Sequence, residues 1–549
     1  VPEKSGESRF VLMVAHSENQ SRPIILFLIR CQSAPAFGMQ SLLLGQSIKP
    51  CPTACIRFFG LSGIEHHGQD TGRTHEWITL QTNVPLFSAV KISVSEKLDR
   101  VIQSRDCCVE SQITQKRCAM PFEISGSVPR RIAVVGGGIS GMAAAHLLAG
   151  SNAVVLFEAE GRLGGHARTV MAGKHGDQPV DTGFIVFNRV NYPHLVRLFE
   201  ELDVPVTESN MSFCASIDGG RIEYGLASLD TLFAQRKNLL NPKFLGMITD
   251  ILRFNKHAAA VAKPGMVIRD LLAALGTGDY FRDYYITPFS GAIWSTPTTG
   301  ILDFPADAMI RFFENHALLS ASGQHQWYTV KGGSIQYVSR LQQAMLREGV
   351  DIRLAAPIAG VQRVDGGVMV RARGGNWDMF DDVVFATHSD VTLSLLSDAS
   401  PAERAALGAV RYQPNEAVLH CDTSMMPKSR KTWSSWAYVE PKGGPGERID
   451  LTYWMNSLQP IPLDDPHFVT LNANRAIREE SIYDSVTFEH PVYDTAALMA
   501  QSTLRDMNGT RNTWFCGAWM KNGFHEDGFA SAVDVVEAMR HRAVRRIAA

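Results

Sequence analysis

Two short apolar runs stand out in the hydrophobic pattern of this chain, at residues 132–135 and 153–157. Neither is broken by a polar residue, which suits strands buried on both faces of a parallel sheet. Between them, Gly136 to Gly141 and an alanine-rich stretch predict a tight turn and a helix. Residues 191–202 place Leu195, Leu198, Phe199 and Leu202 at helical spacing. Residues 225–325 read as mainly helical and aromatic. Gly332-Gly333 predicts the start of a helix running through Leu341. Strands are expected at 351–354, 360–373, 382–386 and 449–454, and 514–536 reads as strand, loop and a helix starting near Asp527. No internal repeat is present.

This order predicts an α/β protein with a discontinuous Rossmann-like domain and an inserted α+β substrate domain. The nucleotide-binding part is assigned to 129–224, 326–390 and 508–549. The substrate part is assigned to 225–325 and 391–507.

The first turn carries the chemistry. Gly136 permits the tight bend, Gly138 lets a pyrophosphate approach the backbone, and Gly141 lets helix and strand pack closely. The helix start at Ile139 and Ser140 offers free N–H groups and a positive dipole end to phosphates. Glu158, at the end of the second strand, can accept hydrogen bonds from ribose hydroxyls. A glycine-rich turn in some other α/β protein is the competing reading. A second glycine turn follows at once in Arg162-Leu-Gly164-Gly165-His166-Ala-Arg168. Gly164 and Gly165 leave room for a large cofactor, and Arg162 and Arg168 can meet its phosphates or shield its charge.

With Gly-x-Gly-x-x-Gly, Glu158 and Arg-x-Gly-Gly in this order, the chain resembles the flavin-containing amine oxidase superfamily, which binds FAD. The C-terminal stretch 514–536, containing Gly517, Asp527 and Gly528, is similar to that superfamily's closing strand and helix, as is Asp181-Thr-Gly183 to the segment after its double glycine. The resemblance implies that the closing helix N-terminus faces the flavin, and that backbone groups at Ile358 meet the adenine. It also implies a cofactor role for His166. More narrowly, residues 183–188, 292–297, 385–390, 433–436 and 523–528 resemble a bacterial subgroup of FAD/NAD(P)-binding oxidoreductases associated with cyclopropane-fatty-acid synthases. The resemblance spans about 129–540.

Flavin chemistry needs few protein side chains, since the cofactor accepts the electrons and the protein positions the substrate. The expected activity is hydride transfer from a hydrophobic substrate, a fatty-acyl or other lipid chain, to the flavin. An amine substrate, a structural or isomerising use of FAD, and a nicotinamide-only dehydrogenase are the alternatives. His525, Lys521 and Trp294 are the catalytic candidates; surface, capping or core-packing roles compete for each. No Gly-x-Ser-x-Gly or His-Glu-x-x-His motif is present.

The 549 residues allow two to four domains. A net charge of −2 gives no bulk attraction to nucleic acid. No apolar stretch reaches the roughly 18–20 residues needed to cross a bilayer, and a cytoplasmic location, with membrane association, is expected. Residues 234–263 carry Arg236, Lys237, Lys243, Arg253, Lys256 and Lys263 against Asp250 alone, interleaved with leucines and phenylalanines. That pattern suits either peripheral contact with an anionic membrane or a solvated face over a core stripe.

Residues 1–119 hold six of the nine cysteines and little sustained hydrophobic period. They are expected to be a poorly structured extension, with the native chain starting at Met120. Cys51-x3-Cys55 with His66-His67 fits no common zinc spacing, so no metal site is expected. Cys214, Cys421 and Cys516 read as core residues.

Overall fold

Arg131–Val135 (β1) is the central strand of a five-stranded parallel sheet. The computed structural model describes residues 129–320 and 324–548, and before them five strands only: Arg9–Ala15 paired with Ile24–Arg30, and a sheet of Leu61–His66, Glu76–Thr82 and Val90–Val94. The rest of 1–119, with the expectations of a loose extension and a start at Met120, lies outside the described residues. The chain divides into units Val1–Ser125 and Gly126–Ala549, and the parallel sheet belongs to the second.

The helix Ile139–Ala149 (α1) follows β1 and leads to Ala153–Phe157 (β2). Asp351–Arg353 (β3), Asp382–Phe385 (β4) and Thr513–Phe515 (β5) complete the sheet. Its spatial order is β3-β2-β1-β4-β5, and every pair is parallel. This is the doubly wound order, whose switch point lies between β1 and β4.

Burial on both faces explains why β1 is apolar throughout. Ile132 and Val134 join a core with Met142 and Leu148 of α1 and with Phe529 and Val535 of the C-terminal helix His525–Ala548 (α2). Ala133 and Val135 face a second core with Val361, Val370 and Phe380. That face is covered by an antiparallel sheet of Ile358–Val364, Gly367–Ala372 and Trp377–Phe380.

A seven-stranded sheet forms the other layer. Its order is Ile222–Gly225, Phe213–Ile217, Trp436–Val439, Leu451–Trp454, Phe468–Leu471, Arg411–His420 and Ile482–Val492. Phe213–Ile217 pairs parallel with Trp436–Val439, and the remaining pairs are antiparallel. The helices Pro242–Val261, Ile268–Leu275, Thr287–Trp294 and Ala306–Asn315 pack into one core with this sheet. Phe213–Ile217 and the first three residues of Ile222–Gly225 fall within the segment 129–224 that the sequence pattern assigns to the nucleotide-binding part, and both strands belong to this sheet. Ile222–Gly225 pairs with its neighbour Phe213–Ile217, whose parallel partner comes from more than 200 residues downstream, beyond the reach of local pattern.

Candidate active site

The first glycine turn forms at the C-terminal end of β1. Gly136 adopts φ 107°, a backbone state that favours glycine, and its N–H donates to the Phe157 carbonyl at 2.8 Å. A methyl group on Gly141 would lie 1.7 Å from the Gly136 carbonyl oxygen, so only glycine lets α1 start this close to the strand. At Gly138 the same methyl would meet no atom of the described residues within 4 Å. The turn is therefore packed tightly at Gly141 and open at Gly138.

Glu158 closes this turn from β2. One carboxylate oxygen accepts the Gly137 N–H at 2.5 Å and the other accepts the Glu160 N–H at 2.8 Å. The second glycine turn is stitched to the first, with the Gly164 N–H donating to the Gly137 carbonyl at 2.9 Å. The Ala355 and Ala356 N–H groups donate to the Glu160 and Glu158 carbonyls, which brings the strand beginning at Ile358 beside the Glu158 end.

The closing segment arrives from the C-terminus. The Gly517 N–H donates to Ser531 Oγ at 2.9 Å. A methyl on Gly528 would sit 2.8 Å from Ile139 Cγ2 and 2.9 Å from Ser140 Oγ, so the first turns of α1 and α2 meet. Two positive helix ends thus converge on the glycine turns. The helix begins at His525, two residues before the expected Asp527. Asp527 caps from within the first turn, its carboxylate accepting the Phe524 N–H at 2.9 Å. Glu526 accepts the His194 and Leu195 N–H groups, each at 2.9 Å, and so caps the neighbouring helix Pro193–Glu201. Burial pushes Glu526 up to about 7 and Asp527 up to about 6.

The three catalytic candidates do not come together. His525 is enclosed, with Nε2 2.6 Å from the Tyr337 hydroxyl and its ring stacked on Phe184 at 4.0 Å. Burial lowers its pKa to about 3, so it is neutral. Lys521 pairs with Asp534 at 2.9 Å. Trp294 packs on Phe304 and Phe312, at 4.8 and 5.0 Å between ring centroids, as a core residue does.

The two arginines are held by protein groups. Arg162 folds back onto the Gly165 and Ala167 carbonyls at 3.0 and 3.3 Å and pairs with Glu160 at 3.1 Å. Arg168, expected to meet phosphate or flavin charge, makes a two-pronged ion pair with Asp484 at 2.5 and 3.1 Å. Asp181 is a buried knot: its carboxylate accepts from Thr169, Gln459 and both the N–H and hydroxyl of Ser334. Burial outweighs these donors and raises its pKa to about 6.

Two residues absent from the sequence-based candidates, His388 and His490, gather around His166. Their ring centroids lie 5.9 and 5.6 Å from that of His166, and His166 Nε2 is buried with no partner among the described residues. One signal could have marked His388, its place three residues past β4 at the switch point; His490 has none nearby in sequence.

These features fit a long dinucleotide: an open Gly138, two stitched glycine turns, two convergent helix N-termini and an orphaned imidazole nitrogen. Gly136, Gly138, Ile139, Ser140 and Glu158 would hold its adenosine and pyrophosphate, and Gly164, Gly165, His166, Gly517 and Gly528 its flavin end. Fold and cradle together define a dinucleotide-binding flavoprotein. The family model described as flavin containing amine oxidoreductase matches residues 139–439, and the chain belongs to that family. It is an FAD-dependent oxidoreductase.

Solved structures with this fold include a CLA-producing fatty acid isomerase from P. acnes, at 17% identity, covering 75% of this chain and 99% of that one, with a TM-score of 0.55. Cyclohexylamine oxidase from Brevibacterium oxydans IH-35A is 15% identical over 75% of this chain and 100% of that one, with a TM-score of 0.55. A putrescine oxidase variant is 15% identical over 76% and 99%, with a TM-score of 0.56. Comparison with curated protein sequences finds no match.

Proposed function

We propose that the substrate is the acyl chain of a membrane lipid, reached through peripheral contact at residues 234–263. Bound FAD supplies two-electron oxidation of a substrate carbon. The observation that carries this reading is the outward face of the helix Pro242–Val261 and of the turns before it. Phe244, Met247, Phe254 and Ala258 face the core. The one acid of the stretch, Asp250, also points inward, accepting the Gly278 N–H at 2.9 Å and pairing with Arg253.

The outward face carries exposed leucines and lysines beside Thr249, Arg253 and His257. Leu240 is 88% exposed, Leu229 76% and Leu252 59%, with Leu239 and Leu245 also exposed. Leu245, Leu252 and Lys256 follow one line of the helix surface. Among the described residues, Lys237, Lys243, Lys256 and Lys263 form no ion pair. Each such cation contributes about 1 kcal/mol near an anionic bilayer, and the leucines add apolar burial. No described helix is long and apolar enough to cross a membrane, so the contact is a surface one.

An amine is less well served. The buried carboxylates of the closing segment, Glu526 and Asp527, are spent on backbone N–H groups, and burial favours their neutral forms. A second reading is acyl-chain isomerisation, favoured by the shared fold of the fatty acid isomerase.

The test is anaerobic bleaching of the flavin in the purified holoprotein, with anionic phospholipid vesicles, free fatty acids and amines as separate additions. Bleaching by vesicles, with co-flotation of protein and vesicles, supports the proposal. Bleaching by amines alone overturns it. Double-bond movement in the lipid without net consumption of an electron acceptor selects isomerisation.

A further inference from the structure

The histidines around His166 lie where the two layers meet. His388 follows β4 at the switch point, beside the first glycine turn: a methyl on Gly136 would come within 3.2 Å of Thr387 Cγ2. His166 belongs to the second glycine turn. His490 comes from the opposite layer, on the strand Ile482–Val492. Tyr412 stacks on His388 at 4.4 Å and Phe488 on His166 at 4.8 Å. Desolvation lowers the pKa of all three imidazoles, that of His490 to about 4, so the cluster is uncharged near neutral pH.

A neutral imidazole carries its proton on one nitrogen, and here the surroundings decide which. The backbone N–H of Glu416, a donor of fixed direction, donates to Asn472 Oδ1 at 3.1 Å. Asn472 must therefore present its Nδ2 to Asn415 Oδ1, at 2.7 Å. That fixes the Asn415 amide, whose Nδ2 donates to the Gln413 carbonyl at 3.2 Å and faces His490 Nδ1 at 2.9 Å. His490 Nδ1 is thus an acceptor and its proton sits on Nε2. The hydrogen bond that His490 makes among the described residues is this one through Nδ1, and His166 Nε2 is buried with no partner among them.

Asn415 and Asn472 are buried, so the relay is shielded from competing water. The strands Arg411–His420 and Ile482–Val492, which carry Asn415 and His490, pair directly. The sheet therefore sets the tautomer through its own register.

We propose that His490 presents a fixed Nε2–H to bound FAD from the seven-stranded side, that His166 Nε2 meets the cofactor beside it, and that Asn415 is the positioning residue that locks the His490 tautomer. This rests on the family's flavin and not on the lipid reading. A preorganised neutral donor stabilises negative charge that grows on the ring, without the cost of burying a cation.

The experiment is a sulfite titration of the full-length holoprotein, followed by flavin absorbance, because sulfite affinity reports how well the ring tolerates added negative charge. His490→Phe keeps the aromatic ring and removes the donor; it is expected to weaken sulfite binding about tenfold or more, the worth of a hydrogen bond to a charged group. His490→Gln restores an N–H and is expected to recover most of that loss. Asn415→Asp reverses the polarity at Nδ1, favours the doubly protonated ring, and is expected to tighten sulfite binding and move the flavin band. His490→Phe with unchanged affinity and spectrum overturns the proposal, as do equal losses in His490→Phe and His490→Gln. Asn415→Asp with FAD bound and wild-type behaviour overturns the role given to Asn415.

Discussion

The two layers that meet at the candidate site are made from different materials. On the parallel-sheet side the groups offered are mainly backbone atoms: the turn at Gly136 to Gly138, the second turn at Gly164 and Gly165, and the first N–H groups of α1 and α2, with the side chains of Glu158 and His166 beside them. On the seven-stranded side they are side chains, with His490 set by Asn415 and Asp484 holding Arg168. A backbone site is defined by where side chains cannot be. A side-chain site is defined by hydrogen-bond partners, which a conservative substitution can partly replace. The first is expected to fail sharply and the second by degrees.

The largest effect is expected at Gly141. Its added methyl would overlap the Gly136 carbonyl, and neither backbone can move without pulling α1 from β1. Gly141→Ala should cost about 3 kcal/mol or more, as overpacking of a rigid core does. Thermal melts should show a destabilised protein that no longer retains FAD.

Gly138 separates folding from binding on the same turn. Its methyl would meet no atom of the described residues, and its φ of −72° suits any residue. Gly138→Ala should leave the melting temperature of the cofactor-free protein unchanged while weakening FAD binding at least about tenfold, the scale of about 1.4 kcal/mol. Equal stability and equal FAD affinity would remove Gly138 from the cofactor path.

An effect that shows only as the pH is lowered is expected at His525, where the side-chain style of construction intrudes on the closing helix. Its pKa is about 3 in the folded chain against an ordinary value near 6.5. Between those values the unfolded chain binds the proton first, so stability is present above pH 6.5 and is lost as pH falls toward 3. His525→Phe keeps the stack on Phe184 and removes this titration. Urea unfolding at pH 8 and pH 5 should show the wild type losing about 2 kcal/mol more than the variant over that interval.

The backbone side was legible in the sequence because its parts are local. The glycines, the strand ends and Glu158 lie within about one βαβ unit, and each has a residue-level reason. The closing stretch was legible for the same cause, although its helix begins at His525: Asp527 caps from inside the first turn, where composition alone suggests a cap in front. The pairing of the seven-stranded sheet was not legible, although one of its strands, Leu451–Trp454, lies within the expected 449–454. Its parallel pair joins Phe213 to Trp436, and such pairing leaves no local period. Arg168 is expected to meet the cofactor's phosphates or charge, and its ion pair with Asp484, 316 residues away, was not legible from its sequence neighbours. The imidazole cluster was hidden for the same reason, since His166, His388 and His490 come from three separate stretches of chain.

The most direct test is the cofactor itself. The full-length chain, purified without added cofactor and then incubated with FAD, should be yellow and should release one FAD per chain on denaturation, while failing to retain NAD. A colourless protein that takes up no FAD, or one that binds NAD in its place, would contradict the assignment at its root.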